Sequence, residues 1–337
     1  MNRTAIALII SAMAAPALAL DPLPKESGFS GFVNLGAGVG SVESNFLARI
    51  SGIDVDLGDD TIDNLDSPDD EDITMAAFQF DVGYTFANQK TRISLGNHTA
   101  DFLDFDRDSQ LALRHDFDRV GNMKLAFLNS SALQTEVWAD PYVVGTKRKD
   151  TEFSSSGGLF AWDKIFGSNF ELTAMVKDRE IDDENSGESL GLGSEQRKLL
   201  DREGDVSRFE VAYLARLGGG EHMLRPSVAY IDRDLDGDAM AQDGYEIGLS
   251  YVYKRDDVRW VNRVSYASLD GDKENPIFFE QNDADNYSIA SHIFFPGLFG
   301  LKKWEPNLGV VWGDSDSDID FNDASAWMFT ASMFRRF

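Results

Sequence analysis

The sequence predicts an all-β fold: a transmembrane antiparallel β-barrel of about 14 strands, with short periplasmic turns and long acidic extracellular loops. Three observations carry that expectation. Segment after segment alternates apolar and polar residues with period two, the mark of a strand with one apolar face. Tight turns alternate with long polar loops, the arrangement of barrels that cross an outer membrane. Placed on the strand directions so defined, the aromatic residues fall into two bands, as rings do at two membrane–water interfaces.

The amino end reads as a cleaved secretory signal over residues 1–19. Arg3 is its charged start, residues 5–15 are apolar, and Ala17-Leu18-Ala19 is an A-x-A cleavage site. About a dozen apolar residues are too few to span roughly 30 Å of hydrocarbon. No later stretch approaches about 18 continuous apolar residues, so a mature chain in a membrane must be there as a closed sheet. Residues 20–337 then form a single barrel domain.

Residues 28–42 are the first strand, with Phe29, Val33, Leu35, Ala37 and Val39 on one face and Ser30, Asn34 and glycines on the other. An acidic loop follows over 43–72. Residues 73–86 set Phe78, Phe80, Val82, Tyr84 and Phe86 against Gln79, Asp81, Gly83 and Thr85. After a turn at 87–90 come strands 91–99 and 109–117, a turn at 118–122, strand 122–130 and a long loop at 131–152. Hairpins follow at 154–166/169–181, 205–217/222–232, 244–254/258–269 and 285–295/302–313. Residues 194–203 read as a short extracellular helix. The last strand, 323–337, has the apolar row Trp327, Phe329, Ala331, Met333 and Phe337, with Arg335 as its misfit; Thr330, Ser332, Phe334 and Arg336 form the other row.

The aromatic bands are Phe86, Trp162, Phe166, Phe170, Tyr253, Trp260, Phe295, Trp304 and Phe337 near the short turns, and Tyr230, Tyr245, Tyr266, Tyr287, Trp312 and Trp327 near the long loops.

The chain has no cysteine and a formal net charge of −27, which becomes −28 once Arg3 leaves with the signal. Without cysteine there are no disulfides, no thiolate chemistry, no Cys-ligated metal and no lipoprotein anchor. Strong acidity speaks against nucleic acid as a partner.

The closing strand, ending on Phe337, resembles that of bacterial outer-membrane β-barrels. The resemblance implies that the terminal Phe serves the outer-membrane assembly machinery. Residues 136–172, above all the WADPYVVG stretch at 138–145, together with 28–42, resemble a family of bacterial outer-membrane proteins known only as domain of unknown function 2860. That resemblance implies an envelope location and one domain, and assigns no functional residue.

Alternation places Arg92, Arg114, Lys124, Lys177, Arg179, Arg208, Arg216, Arg225, Arg233, Lys254, Arg259, Arg263 and Arg336 inward. The inward acids are fewer: Asp81, Asp116, Asp163, Glu171, Glu210 and Glu246. The expected wall is net basic while the acid concentrates in the loops. Basic rings attract anions; arginines inside a barrel also pair with acids and fill space. The loop at 131–152 carries Trp138, Asp140 and Tyr142, a candidate constriction or a brace for the rim. Asp232, Asp234, Asp236 and Asp243 follow part of a calcium-loop spacing, although the flanks are strands and the last ligand is Asp. Weak loop-bound calcium is the one cofactor this suggests. Lipid and lipopolysaccharide are the expected partners, with divalent ions bridging acidic loops to phosphates.

No H-x-S, H-E-x-x-H or G-x-S-x-G is present, so no enzyme is expected. The sequence leaves two functions. One is a porin-like passive channel for small polar solutes. The other is a structural or surface-interaction barrel with a plugged lumen, whose loops bind divalent cations, lipopolysaccharide or a partner.

Overall fold

The structure, a computed structural model, describes residues 23–50, 55–101, 103, 106–130 and 135–337. The expected signal at 1–19 lies outside the described residues. In chain order the strands are β1 (Gly28–Ser44), β2 (Leu47–Ile50), β3 (Val55–Asp56), β4 (Asp70–Thr85), β5 (Thr91–Asp101), β6 (Asp106–Asp116), β7 (Asn122–Ser130), β8 (Thr135–Trp138) and β9 (Asp150–Asp163). Then follow β10 (Phe170–Ile181), β11 (Gly204–Tyr213), β12 (Ala215–Leu217), β13 (His222–Leu235), β14 (Gln242–Lys254), β15 (Arg259–Gly271), β16 (Ala284–Phe294), β17 (Glu305–Ser317) and β18 (Ala324–Arg336).

Fourteen of these make the barrel wall; β12 continues β11, and β2, β3 and β8 stand apart. Each wall strand pairs antiparallel with its neighbours, and β1 pairs with both β4 and β18. The cylinder therefore closes, and no ladder is left open to lipid. The seam runs from Phe32↔Arg336 to Ser44↔Ala324. It extends one step further through Gly31 and Phe337, whose backbone groups exchange two 3.0 Å hydrogen bonds.

Side-chain alternation sorts the two faces. Leu35, Val39, Leu111, Leu125, Phe127, Val228, Ile247 and Phe329 are exposed on the outer surface. A soluble protein does not display such a band, but hydrocarbon solvates it. Aromatic pairs cap the band at both rims. Phe29–Tyr84 and Phe170–Tyr213 lie at the short-turn end, 5.2 and 5.1 Å between centroids, and Tyr230–Tyr245 and Tyr266–Tyr287 at the loop end, 5.4 and 5.2 Å. Arg335, the misfit of the closing strand, lies 5.5 Å from the Trp304 ring centroid at the lower rim. A girdle ring thus receives its charge.

The loop end differs from expectation in two respects. The segments taken as unstructured loops build a second small sheet: β2 pairs with β3 and β8, and β8 with the outer end of β9. The expected helix is shorter than predicted, Ser194–Lys198. The run expected at 205–217 is interrupted at the buried Leu214.

Candidate functional site

The lumen is lined by polar and charged side chains. Its centre is a bundle of three arginines and three glutamates contributed by five neighbouring strands. Arg225 on β13 donates from Nε to Glu171 Oε2 at 2.6 Å and from Nη2 to Glu210 Oε1 at 2.5 Å. Arg208 Nη2 donates to Glu210 Oε2 at 2.9 Å and to Glu246 Oε1 at 2.8 Å. Arg263 Nη2 reaches Glu246 Oε1 at 2.7 Å. All six alternate inward on β10, β11, β13, β14 and β15, so charge-assisted bonds brace adjacent strands from inside.

Other inward cations are compensated in the same manner. Lys177 meets Asp108 at 2.9 Å, Arg114 lies 3.7 Å from Asp163, and Arg259 lies 3.3 Å from Glu305. Arg92 bonds Asp81. Arg216 has inward parity but sits exposed in β12, at the lower rim, away from the bundle. Seven of the expected inward cations, Arg92, Arg114, Lys177, Arg208, Arg225, Arg259 and Arg263, are thus paired with acids. Asp108 lies one residue before the expected strand start, and it supplies part of the balance.

Three inward rings pack together at the short-turn end, on one side of the wall. Phe334 stacks on Phe32, 5.3 Å between centroids, and meets Phe294 edge-on at 5.6 Å. The Arg259 guanidinium lies 4.1 Å from the Phe294 centroid and 5.1 Å from that of Phe334. This floor was readable only in part: Phe334 falls on the inward row of the closing strand, but its partners come from β1 and β16.

The opposite end is roofed by loops. Tyr142 stacks on Phe321 at 5.0 Å, and Phe278 and Phe46 pack on the same ring at 5.6 and 5.7 Å. Leu200, Leu235, Met240, Ala241 and Ile319 complete the buried cluster. Trp138, Asp140 and Tyr142 are buried inside the cap. Asp140 explains how. Its Oδ1 accepts from the backbone N–H of Tyr142 and Gly187 at 3.1 and 3.0 Å, and its Oδ2 from that of Ser189 at 2.8 Å, tying two loops together.

Arg148 lies 4.5 Å from the Trp138 ring centroid and donates to the carbonyls of Asn45 at 3.0 Å and Pro141 at 3.3 Å. Burial pulls its pKa down to about 10, against the pull of Asp59 and Asp60, and burial pushes the Tyr142 phenol up. Arg202 ties Glu184, at 2.8 Å, to the Trp138 carbonyl. Sequence alone pointed to neither arginine, because their partners are backbone carbonyls of distant loops. Beneath the cap lies a cavity of about 130 Å³, with Arg179, Arg233, Asn286, Phe46, Phe153 and Met240 among its walls.

The calcium-loop residues do not converge. β13 continues to Leu235, so Asp232 and Asp234 sit on its outer face. Asp243 stands opposite Asp232 on β14 and accepts from the Tyr230 hydroxyl at 3.1 Å; Asp236 is exposed beyond the strand end. Among the described residues no three His or carboxylate groups are placed to hold a metal ion.

The model of a family described as "Protein of unknown function (DUF2860)" matches residues 28–334, the whole barrel from its first strand into its last. The chain belongs to this family. No curated protein matches its sequence. Solved structures with a similar course include the outer membrane channel DcaP of Acinetobacter baumannii, 9% identical over 92% of this chain and 98% of that one, TM-score 0.45. OmpT, an outer membrane protein of Vibrio cholerae, is 9% identical over 94% and 100%, TM-score 0.41. A Pseudomonas aeruginosa FadL homologue is 10% identical over 97% and 99%, TM-score 0.46. The closed wall, the apolar outer band and the two aromatic rims of the DUF2860 barrel make it an outer-membrane protein.

Proposed function

We propose that this protein is an outer-membrane channel for small polar solutes that rests closed. One observation carries the reading. The polar interior, from Lys177–Asp108 down to the Asn307–Asn34 pair, lies between a packed loop cap at one end and an aromatic cluster at the other, inside an intact strand wall. The ladders between the fourteen wall strands do not run through either element. The cap is tied partly by exposed ion pairs, Lys147–Asp60 and Lys149–Asp183 at 2.6 Å each, which are individually weak. Paired charges inside favour selection by hydrogen bonding over simple attraction of anions.

In planar bilayers the wild type is expected to show rare conductance steps. Phe321→Ala, which removes the ring at the centre of the cap, is expected to make them frequent. If both proteins are folded and silent, the second reading takes over: a plugged barrel that serves structure or surface contact. The dense Arg–Glu bundle is the observation in its favour.

A further inference from the structure

The lumen is asymmetric, and its two sides differ in chemistry. The ionic bundle occupies β10 to β15. Facing inward on β16, β17 and β18, from the level above the Arg259–Glu305 pair toward the loop end, is a strip whose one titratable side chain is an imidazole. Two register lines define it. One runs His292–Gly309–Thr330–Gly38 and the other Phe294–Asn307–Ser332–Gly36, each across β16, β17, β18 and β1.

The glycines shape this strip. A Cβ at Gly309 would overlap the His292 ring and come within 2.7 Å of Thr330 Oγ1; one at Gly36 would overlap Ser332 Oγ. The polar side chains therefore lie along the wall, in space that a larger residue would fill.

They also lack partners. Nδ1 and Nε2 of His292, Oδ1 of Asn307, Oγ1 of Thr330 and Oγ of Ser332 are buried without a hydrogen bond. His292 is 2% exposed and Thr330 1%. A buried polar atom left unsatisfied costs about 1–3 kcal/mol, so five on adjacent strands point to groups that arrive from the lumen. Hydroxyls, an imidazole and a carboxamide oxygen supply both donors and acceptors. The aromatic floor begins within the strip, with Phe294 level with Asn307 and Phe334 one inward position below Ser332, an apolar surface beside the polar row.

We propose that His292, Asn307, Thr330 and Ser332 form a recognition strip for an uncharged, polyhydroxylated solute on its way through the barrel. The inference rests on the channel reading and names its solute class. A sugar-like molecule satisfies the strip through hydroxyls set around its ring; triethylene glycol carries donors only at its two ends, with ether oxygens, which can only accept, between them.

The test compares the swelling rates of proteoliposomes in xylose and in triethylene glycol, two uncharged solutes of nearly equal mass. It uses the full-length barrel and its Phe321→Ala form. Xylose is expected to enter faster. His292→Leu and Asn307→Leu are each expected to lower the xylose-to-glycol ratio about fivefold, the effect of losing one net hydrogen bond. His292→Gln, which keeps a donor and an acceptor, is expected to retain much of the preference. Heat-modifiable electrophoretic mobility identifies the folded variants. A ratio unchanged in folded His292→Leu and Asn307→Leu overturns the strip and leaves the channel standing. Entry of neither solute through either barrel overturns the channel reading, and the strip with it.

Discussion

Lys177 Nζ stands 2.9 Å from both carboxylate oxygens of Asp108, and neither side chain reaches solvent. The two strands, β10 and β6, are three places apart around the ring. The pair therefore braces the wall over a distance that no ladder hydrogen bond covers. Removing one partner strands a buried charge, which costs about 3–5 kcal/mol where this has been measured. Asp108→Asn is expected to lower the urea midpoint in detergent or lipid accordingly. The double variant Asp108→Asn/Lys177→Met is expected to recover most of the loss. Equal midpoints for wild type and Asp108→Asn would show that the pair contributes nothing.

Phe337 completes the seam with Gly31 through two backbone hydrogen bonds. Deleting it removes two backbone hydrogen bonds and a lipid-facing ring together. The folded fraction after refolding into lipid vesicles, read by heat-modifiable mobility, is expected to fall. Phe337→Leu keeps the backbone bonds and is expected to fold well in vitro. If it nevertheless accumulates poorly in the cell's outer membrane, the ring serves assembly and not stability.

The wall was legible in the sequence to within a few residues at most strand ends, because a membrane strand repeats one local rule along its length. The cap was not. Asp140 bonds the backbone of Gly187 and Ser189, and Arg148 bonds Asn45, across separations with no periodicity to betray them. Trp138 and Tyr142 were conspicuous as apolar residues in a polar loop, yet nothing local distinguishes a ring inserted into the lumen from one that roofs it. The lumen charges show the same limit. Alternation puts Arg208, Arg225 and Arg263 on one face of their strands. Which glutamate each one meets depends on register between strands, and local patterning does not specify that.

Within the cap, Trp138 is fully buried under the Arg148 guanidinium. Trp138→Ala opens a cavity and leaves that charge without its ring; losses of about 3–5 kcal/mol attend such truncations in packed cores. Because the wall does not depend on this contact, the damage is expected to stay local. Protease is expected to nick the loops of the variant many times faster than those of the wild type, while the barrel's heat-modifiable shift persists. A barrel that fails to fold would place Trp138 in the folding of the wall itself.

The cap is also expected to respond to pH. Burial, with neighbouring acids, raises the carboxyls of Glu203 and Asp323 above their ordinary range in the closed state. Glu203 lies nearest Asp201, Glu184 and Asp236, and Asp323 nearest Asp316, Asp320 and Asp314. The closed cap therefore binds more protons than the opened loops. Whatever stability these groups contribute is fully present below the ordinary carboxylate pKa and is lost as pH rises through their raised values. Limited proteolysis of the loops, corrected for the protease's own pH dependence with an unfolded peptide, is expected to run slower in mildly acidic buffer than at neutrality. Glu203→Gln, which mimics the protonated form, is expected to make the neutral-pH rate approach the acidic one. Loops cut equally fast at both pH values, in wild type and variant alike, would remove these carboxyls from the closing of the cap.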